Sequence, residues 1–199
     1  MVGIIDYGVG NLFSLQSSFK AIGQQVEVSS DPEVLRKADH ILLPGVGAFE
    51  DAVQKLRATG MDQMVYEAAK SGKPLMGICL GMQLLFEKSY EYGEHEGLGL
   101  IRGQVVGMSG KLPPELKIPH MGWNALRLTK PARLLEEGSY VYFVHSFYAE
   151  NCEDSIAAVT DYGIPITAAV EKDNIFGCQF HPEKSGTVGL AILKKFCEV

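Results

Sequence analysis

Hydrophobic residues in the first part of the chain form short runs separated by longer amphipathic stretches. Runs rich in Val, Ile and Leu are typical of strands that a parallel sheet buries on both faces. One further segment alternates apolar and polar residues, as a strand does. Strands are therefore predicted at Val2–Asp6, Gln25–Ser29, His40–Leu43 and 74–78.

The stretches between these strands carry residues that mark helix boundaries. Asn11 is placed to cap a helix that runs through about Ile22, where Gly23 would end it. The segment 30–33, Ser-Asp-Pro-Glu, has the form of a helix start with proline at the first position. Further helices are predicted at Ala48–Thr59, at Met61–Ser71 and from Leu80. This alternation indicates right-handed βαβ units on a parallel sheet.

The pattern changes at about Tyr90, where glycine becomes frequent and helical periodicity weakens until Ser185. Several of the later segments alternate as antiparallel strands do. Strands are predicted near 98–107, 123–128, 139–149, 156–160, 167–172 and 175–180, and a helix over 185–199. Because no repeat, linker or low-complexity tract interrupts the chain, we predict a single domain over residues 1–199.

Composition and charge exclude several classes of function. A chain of 199 residues that is 46% hydrophobic can build one sizeable core. Its net charge of -6 argues against a nucleic-acid or membrane-surface protein, and it shows neither a basic leader nor an apolar run of ~18 residues. The cysteines are far apart and form no CxxC pair, which excludes a disulfide framework or zinc site and predicts a reducing cytoplasm. They are Cys79, Cys152, Cys178 and Cys197.

One of these cysteines stands at a junction between predicted elements. In PLMGICLGMQLLF, residues 74–86, Cys79 separates a buried strand from a helix and lies between Gly77 and Gly81. Flanking glycines allow a sharp turn that leaves the thiol protruding at the carboxyl edge of the sheet, as in the GxSxG elbow. The helix N-terminus favours the thiolate, and the next amide, on Leu80, points where an oxyanion would form. The alternative is a buried structural cysteine in a βα turn.

A nucleophilic thiol needs a base, and the base needs an orienting group. Among the five histidines, His181 follows a β run and has Glu183 two residues later. An extended backbone would point both side chains the same way, so the carboxylate could fix the imidazole tautomer and stabilise its charged form. His120 and His145 are also plausible at a site, whereas the remaining two histidines are predicted to be structural or solvated.

Six segments carry a resemblance to a known family. GICLGMQ at 77–83 and FHPEKS at 180–185 resemble the class I glutamine amidotransferases, whose glutaminase domains use a Cys-His-Glu triad. Four others are similar to the glutaminase subunits of imidazole glycerol phosphate synthase, which serve histidine biosynthesis. These are IIDYGVGNLFSL at 4–15, LPGVGAF at 43–49, PHMGWN at 119–124 and YFVHSFY at 142–148.

The resemblance implies an α/β fold of three layers, with helices on both faces of an open, mixed and mainly parallel sheet of flavodoxin-like form. It implies that Cys79 is the nucleophile, His181 the general acid/base and Glu183 its orienting partner. L-glutamine would be hydrolysed to L-glutamate and ammonia through a thioester on the cysteine, without a metal or organic cofactor.

The resemblance also assigns residues to substrate binding. Backbone amides of Leu80, Val46 and Gly47 would form the oxyanion hole. The glutamine itself would be held by Gly45, Gln83, His145, Ser146 and Phe147.

A partner chain is implied as well, because free ammonia has to reach a synthase. By resemblance the partner is a (βα)8-barrel cyclase, which forms a heterodimer and makes imidazole glycerol phosphate and aminoimidazole carboxamide ribonucleotide. The residues expected at the interface are Met121, Gly122, Trp123, Asn124 and Lys184. Aromatic residues such as Trp123 are enriched at protein contacts. The alternatives are a place in the core for Trp123 and a solvated surface for Lys184.

Three rival functions remain compatible with a cysteine elbow. The chain could be the glutaminase subunit of another amidotransferase, although DYGVGN and PHMGWN argue against this. It could be a stand-alone thiol hydrolase, although HPE favours the amidotransferase. A binding module without activity is the third, and such a module would not be labelled selectively by a glutamine-analogue electrophile.

Overall fold

The first half of the chain alternates strands and helices in the computed structural model, which describes residues 1–199. Its strands are β1 (Val2–Ile5), β2 (Val26–Ser29), β3 (His40–Leu43) and β4 (Leu75–Ile78). Its helices are α1 (Leu12–Ala21), α2 (Pro32–Arg36), α3 (Phe49–Ala58), α4 (Met61–Ser71) and α5 (Leu80–Leu84). Every element predicted in this half is present, with bounds close to those expected.

The second half consists mainly of strands and closes with one helix. Its strands are β5 (Phe86–Ser89), β6 (His95–Glu96), β7 (Ile101–Gly107), β8 (His120–Ala125), β9 (Arg127–Leu128), β10 (Tyr140–His145), β11 (Phe147–Glu150), β12 (Ile156–Asp161), β13 (Pro165–Lys172) and β14 (Ile175–Cys178). Short 3-10 turns cover Glu153–Ser155 and Pro182–Lys184, and α6 spans Gly186–Phe196. None of the helices is both long and apolar enough to cross a membrane.

The largest sheet has eight strands in the order β2-β1-β3-β4-β14-β13-β12-β9. The pairings from β2 to β14 are parallel, and those from β14 to β9 are antiparallel. This confirms the predicted mixed, mainly parallel sheet. Two further sheets form beside it, one of four strands in the order β11-β7-β5-β6 and one of two strands, β10 and β8.

Successive residues of the buried strands face opposite sides of the large sheet. In β3, Ile41 and Leu43 belong to a core shared with α2, α3 and α4, whereas Leu42 belongs to a second core shared with α1 and α6. Helices therefore cover both faces, as predicted. The carboxyl ends of parallel strands in such a sheet meet at one edge, which is where ligands bind in open α/β folds.

The helix α5 is shorter than its residues predict. The stretch 80–86 is rich in helix formers, yet the helix ends at Leu84 and Phe86 already begins β5. The carbonyl of Leu84 accepts a hydrogen bond from the amide of Leu98 at 2.9 Å, and that of Phe86 accepts from Gly99 at 3.0 Å. These long-range partners replace the bonds that a continuing helix would make, so tertiary structure overrides helix propensity.

Predicted helix and strand boundaries differ from the structure at several other points. Asn11 stands at the N-cap of α1, but its side chain makes no capping hydrogen bond. Asp31 does cap α2, accepting from the Glu33 amide at 2.9 Å. The helix α6 ends at Phe196 instead of continuing to 199. The single strand predicted over 139–149 is wrong, because the chain breaks at Ser146 and its two halves, β10 and β11, join different sheets.

Two phenylalanines of α1 provide a test of how this helix is held. Phe19 is 0% exposed against the sheet, whereas Phe13 is 79% exposed. We expect Phe19→Ala to lower the free energy of unfolding by about 3–5 kcal/mol through lost burial and a residual cavity. Phe13→Ala, the matched control in the same helix, should change it by less than about 0.5 kcal/mol. Chemical denaturation of both variants measures this, and equal effects would contradict the assigned packing.

Candidate active site

Cys79 occupies a strained turn between β4 and α5. Its φ is +54° and its ψ is −112°, a region that residues with a side chain rarely adopt. Such strain costs of the order of 1–3 kcal/mol and persists only when surrounding structure enforces it. Here the Cys79 amide donates to the Cys178 carbonyl at 2.7 Å, and the Cys79 carbonyl accepts from the Gln83 amide at 3.2 Å.

Three glycines allow the backbone segments around this elbow to touch. A methyl group on Gly81 would lie 2.0 Å from the Leu43 carbonyl oxygen, and one on Gly45 would lie 2.6 Å from the Gly81 nitrogen. A methyl on Gly77 would lie 2.6 Å from the Gly81 oxygen. The PGVG loop, residues 44–47, is therefore packed directly on the elbow. No side chain larger than hydrogen fits at these contacts.

His181 and Glu183 form a buried pair beside Cys79. Their Nδ1 and Oε1 atoms are 2.8 Å apart, and the side chains are 3% and 1% exposed. The predicted extended backbone between them is wrong, because Pro182 begins a 3-10 turn that contains Glu183. The main-chain amide of His181 donates to the Tyr142 carbonyl at 2.9 Å, which ties this turn to β10.

Electrostatics favour a charged imidazole at this position. Burial by itself lowers the pKa of His181, but hydrogen bonds and charges from Cys79 and Glu183 outweigh burial and raise that pKa to about 9. The second carboxylate oxygen of Glu183, Oε2, is buried without a hydrogen-bond partner. Since no other group bonds to this carboxylate, it interacts chiefly with the imidazole. The arrangement suits a thiolate–imidazolium pair.

A cavity of about 330 Å³ opens over this group. It is lined by most of the predicted catalytic and ligand-binding residues, together with one predicted interface residue. They are Val46, Gly47, Cys79, Leu80, Gln83, His145, Ser146, Phe147, His181 and Lys184. Gly45 and Glu183 do not line it, because the glycine packs on the elbow and the glutamate lies behind the imidazole.

The cavity also contains Glu91, which the sequence interpretation missed. This buried carboxylate accepts a hydrogen bond from the Phe49 amide at the start of α3, at 2.7 Å. Burial raises the pKa of Glu91, while that hydrogen bond and nearby His95 oppose the shift. Tyr92 and Val144 complete the lining. The segment EYGEHEG looks like a charged surface loop, and only its long-range contact with α3 turns Glu91 inward.

His145 uses both ring nitrogens within the protein. Its Nδ1 lies 2.8 Å from the Phe147 carbonyl, and its Nε2 lies 3.0 Å from His120 Nδ1. His120 is stacked between Phe143 and Tyr162. Burial lowers the pKa of His145 to about 3 and that of His120 to about 4, so both rings are neutral at pH 7. Because both ring nitrogens of His145 are already hydrogen-bonded within the protein, neither is free to bind glutamine.

The predicted interface residues lie on an exposed strand near the cavity. β8 begins at His120, earlier than the predicted start at 123. Met121 is 60% exposed and Trp123 is 56% exposed, so the core alternative for this tryptophan is wrong. Asn124 donates to the Asp161 carbonyl at 2.8 Å, and Gly122, with a φ of +128°, lies between the two exposed side chains.

Lys184 connects this exposed face with the cavity. Its Nζ lies 6.0 Å from the centre of the Tyr142 ring, and that ring packs edge-on against Trp123 at 6.1 Å. No group of three or more His, Cys, Asp or Glu side chains is arranged to hold a metal ion. The reactive side chains gathered at the site are the Cys79 thiol, the His181 imidazole and the Glu183 carboxylate.

Comparison with protein families identifies the family of this chain. Residues 3–199 match the family model "Glutamine amidotransferase class-I". The chain belongs to the class-I glutamine amidotransferases. Solved structures agree on the fold: one described as a glutamine amidotransferase superposes with a TM-score of 0.77 at 18% identity, covering 99% of this chain and 97% of that chain. A structure described as PurLQS from Thermotoga maritima gives 0.74 at 19% identity, covering 99% and 97%.

Several curated members of the family are more similar in sequence. A protein of Caldanaerobacter subterraneus subsp. tengcongensis is 51% identical over 203 residues, which cover 100% of this chain and 98% of that protein. A protein of Bacillus subtilis is 47% identical over 204 residues, covering 100% and 96%. Both are named imidazole glycerol phosphate synthase subunit HisH.

The four cysteines of this amidotransferase provide a test of the site. Burial raises the pKa of the Cys152 and Cys197 thiols to about 11, and raises that of Cys178 well above its ordinary range. We expect iodoacetamide at neutral pH to alkylate Cys79 first, because it lines the cavity beside a charged His181. Peptide mass spectrometry after partial labelling measures the order. Faster labelling of Cys197, the most exposed of the others, would contradict the assignment.

Proposed function

We propose that this chain is the glutaminase subunit of an imidazole glycerol phosphate synthase in histidine biosynthesis. The observation that carries the proposal is the strained Cys79 elbow in contact with a buried His181–Glu183 pair. Relatives about half identical over the full chain, all named as subunits of that enzyme, support the choice of pathway. The rival subunit of another amidotransferase and the stand-alone thiol hydrolase are not favoured.

The reaction begins when the Cys79 thiolate attacks the side-chain amide carbon of glutamine. A carbon–sulfur bond forms and the carbonyl oxygen becomes an oxyanion. The His181 imidazolium gives its proton to the amide nitrogen, the carbon–nitrogen bond breaks, and ammonia leaves behind a γ-glutamyl thioester. Neutral His181 then takes a proton from water as the water oxygen attacks the thioester. Glutamate departs and the thiolate–imidazolium pair is restored, with Glu183 holding the imidazole in place throughout.

Backbone amides around the elbow are suited to stabilise the oxyanion. Leu80 is the first residue of α5, so its N–H has no acceptor within the helix. Val46 and Gly47 line the same cavity from the PGVG loop, and the φ of Gly47 is +97°, a conformation that favours glycine. One missing oxyanion donor typically costs about 10²–10³ in kcat. These three amides form the oxyanion hole in our proposal.

Three polar groups in the cavity are suited to bind the ammonium and carboxylate groups of an α-amino acid. Glu91 offers a carboxylate to an ammonium group, and Gln83 presents a carbonyl oxygen that makes no hydrogen bond within the chain. Ser146, at the break between β10 and β11, contributes a hydroxyl group. Free glutamine carries the ammonium and carboxylate that such groups recognise, whereas a glutamine inside a peptide chain does not.

Ammonia has to pass to a synthase on another chain, and we propose a (βα)8-barrel cyclase that forms a heterodimer with this one. Support comes from the name "subunit" in the relatives and from the exposed aromatic face around Trp123 beside the cavity. With that ammonia the cyclase would form imidazole glycerol phosphate and aminoimidazole carboxamide ribonucleotide. The four free cysteines suit a reducing cytoplasm.

Cys79→Ala should abolish glutamine-dependent synthesis by the complex while leaving synthesis from ammonium salts intact, because only the cyclase uses ammonia. Cys197→Ala, a cysteine outside the site, is the matched control and should retain both activities. Glu183→Gln should lose less than Cys79→Ala, since it removes an orienting charge and keeps the base. Steady-state assays with each nitrogen source measure the effects. Glutaminase turnover by Cys79→Ala would refute the mechanism.

Trp123→Ala should weaken binding of the cyclase by about 2 kcal/mol or more, as truncated aromatic hot spots do. Its melting temperature should change little, because the side chain is half exposed in the free chain. Calorimetric titration of the cyclase, together with a thermal melt, tests both statements. Unchanged affinity with a large fall in melting temperature would show that the tryptophan stabilises only the fold.

A further inference from the structure

Gln179 is a fully buried amide next to the nucleophile, and the reaction described above does not use it. Its exposure is 0%, and its main-chain amide donates to the Ala168 carbonyl at 2.9 Å, just beyond the end of β14. Its side-chain Nε2 lies 3.7 Å from Cys79 Sγ. It does not line the cavity, so it approaches the sulfur from inside the protein.

The direction of this contact is fixed by a backbone carbonyl. The Phe147 carbonyl oxygen can only accept, so the Gln83 atom 3.1 Å away must be its amide nitrogen. The same nitrogen lies 3.0 Å from Gln179, which must therefore present its carbonyl oxygen to Gln83. The NH₂ group of Gln179 is then left to face Cys79.

The Phe147 carbonyl oxygen also accepts a hydrogen bond from a second side chain. His145 donates from Nδ1 to the same Phe147 oxygen, and since its Nε2 then accepts, His120 must donate from Nδ1. An unbroken series of hydrogen bonds thus runs from the inner side of β8 to the sulfur. Flipping the Gln179 amide would set its NH₂ group against that of Gln83, and flipping both amides would set the Gln83 carbonyl oxygen against that of Phe147. Both arrangements are costly in a buried site, where an unmade hydrogen bond is not replaced by water.

We propose that Gln179 is the second hydrogen-bond donor to the Cys79 sulfur, oriented by Gln83 and the Phe147 carbonyl. It is neutral and keeps its proton, whereas His181 gives its proton to the leaving nitrogen. The amide therefore stabilises the thiolate in the resting enzyme and again when the thioester breaks. This role rests on the proposed glutaminase function, to which it adds a positioned donor. It would apply equally to any other reaction in which Cys79 acts as a thiolate.

The test is the pH dependence of Cys79 alkylation by iodoacetamide in the free chain, comparing wild type with Gln179→Met, which keeps the length and removes the donor. We expect alkylation on the rising part of the pH profile to fall about tenfold at a given pH, the size of a typical hydrogen bond to a charged group. The pH profile should move upward, with an unchanged rate at its high-pH plateau. The other titratable groups around the sulfur, His181, Tyr7, Glu91 and Lys184, are the same in both proteins.

His120→Phe is the matched control, because it removes a buried polar group from the far end of the series and keeps the ring stacking. Its alkylation profile should not move, since Gln83 still holds Gln179 in place. An unmoved profile in Gln179→Met, or an equal loss on the rising part and at the plateau, would overturn the proposal. If circular dichroism shows that Gln179→Met is unfolded, Gln179→Glu replaces it. This variant places an acceptor against the sulfur and should move the profile further upward, and an unmoved profile would again overturn the proposal.

Assays of the complex give a second readout. Because Gln179 lies outside the cavity and Gln83 keeps its hydrogen bond to the Phe147 carbonyl, Gln179→Met should lower kcat for glutamine and leave KM unchanged. A raised KM with normal kcat would overturn the proposal, since it would assign Gln179 to substrate binding. The alkylation arm needs neither glutamine nor cyclase, so its outcome is independent of whether the chain is the glutaminase proposed above.

Discussion

The contact between two pieces of backbone, the elbow at Cys79 and the PGVG loop, is the constraint on which the rest of the site depends. The loop and the first turn of α5 approach so closely that a single methyl group on Gly81 would overlap the Leu43 carbonyl. This closeness holds Cys79 in a conformation it would not adopt alone. It also brings Val46 and Gly47 of the loop to the same cavity as Cys79 and Leu80. The proposed nucleophile and oxyanion donors are thus positioned by the same contact.

Burial gives the remaining groups their properties. The carboxylate of Glu183 is shielded from water and has one oxygen without a partner, so its charge acts mainly on His181. In water the same pair would be worth little. His145 and His120, buried without a carboxylate, are driven to the neutral form instead. One histidine of this region is therefore charged and two are neutral, because only His181 lies beside Cys79 and Glu183.

Much of the fold could be predicted from the sequence, because its signals are local. Apolar runs, caps and glycine stops predicted the elements of the first half, and the residue types at 77–81 and 181–183 indicated the proposed nucleophile and its base. Features that depend on distant partners could not be predicted. α5 ends early because amides at 98–99 donate hydrogen bonds to the carbonyls at its end. Glu91 is buried because its carboxylate accepts a hydrogen bond from the first amide of α3. The role of Gln179 is visible only once strands far apart in sequence are neighbours.

The interruption between β10 and β11 at Ser146 connects two different sheets. β10 pairs with β8, whose outer face carries Trp123, while β11 pairs with β7 in the four-stranded sheet. One peptide segment is thus the joint between two sheets, and the Phe147 carbonyl at that joint is the common reference for His145 and Gln83. A displacement of β10 relative to β11 would strain the hydrogen bonds at this oxygen, and also the bond from the His181 amide to the Tyr142 carbonyl. The shape of the cavity wall beside Cys79 thus depends on how the two sheets are set against each other.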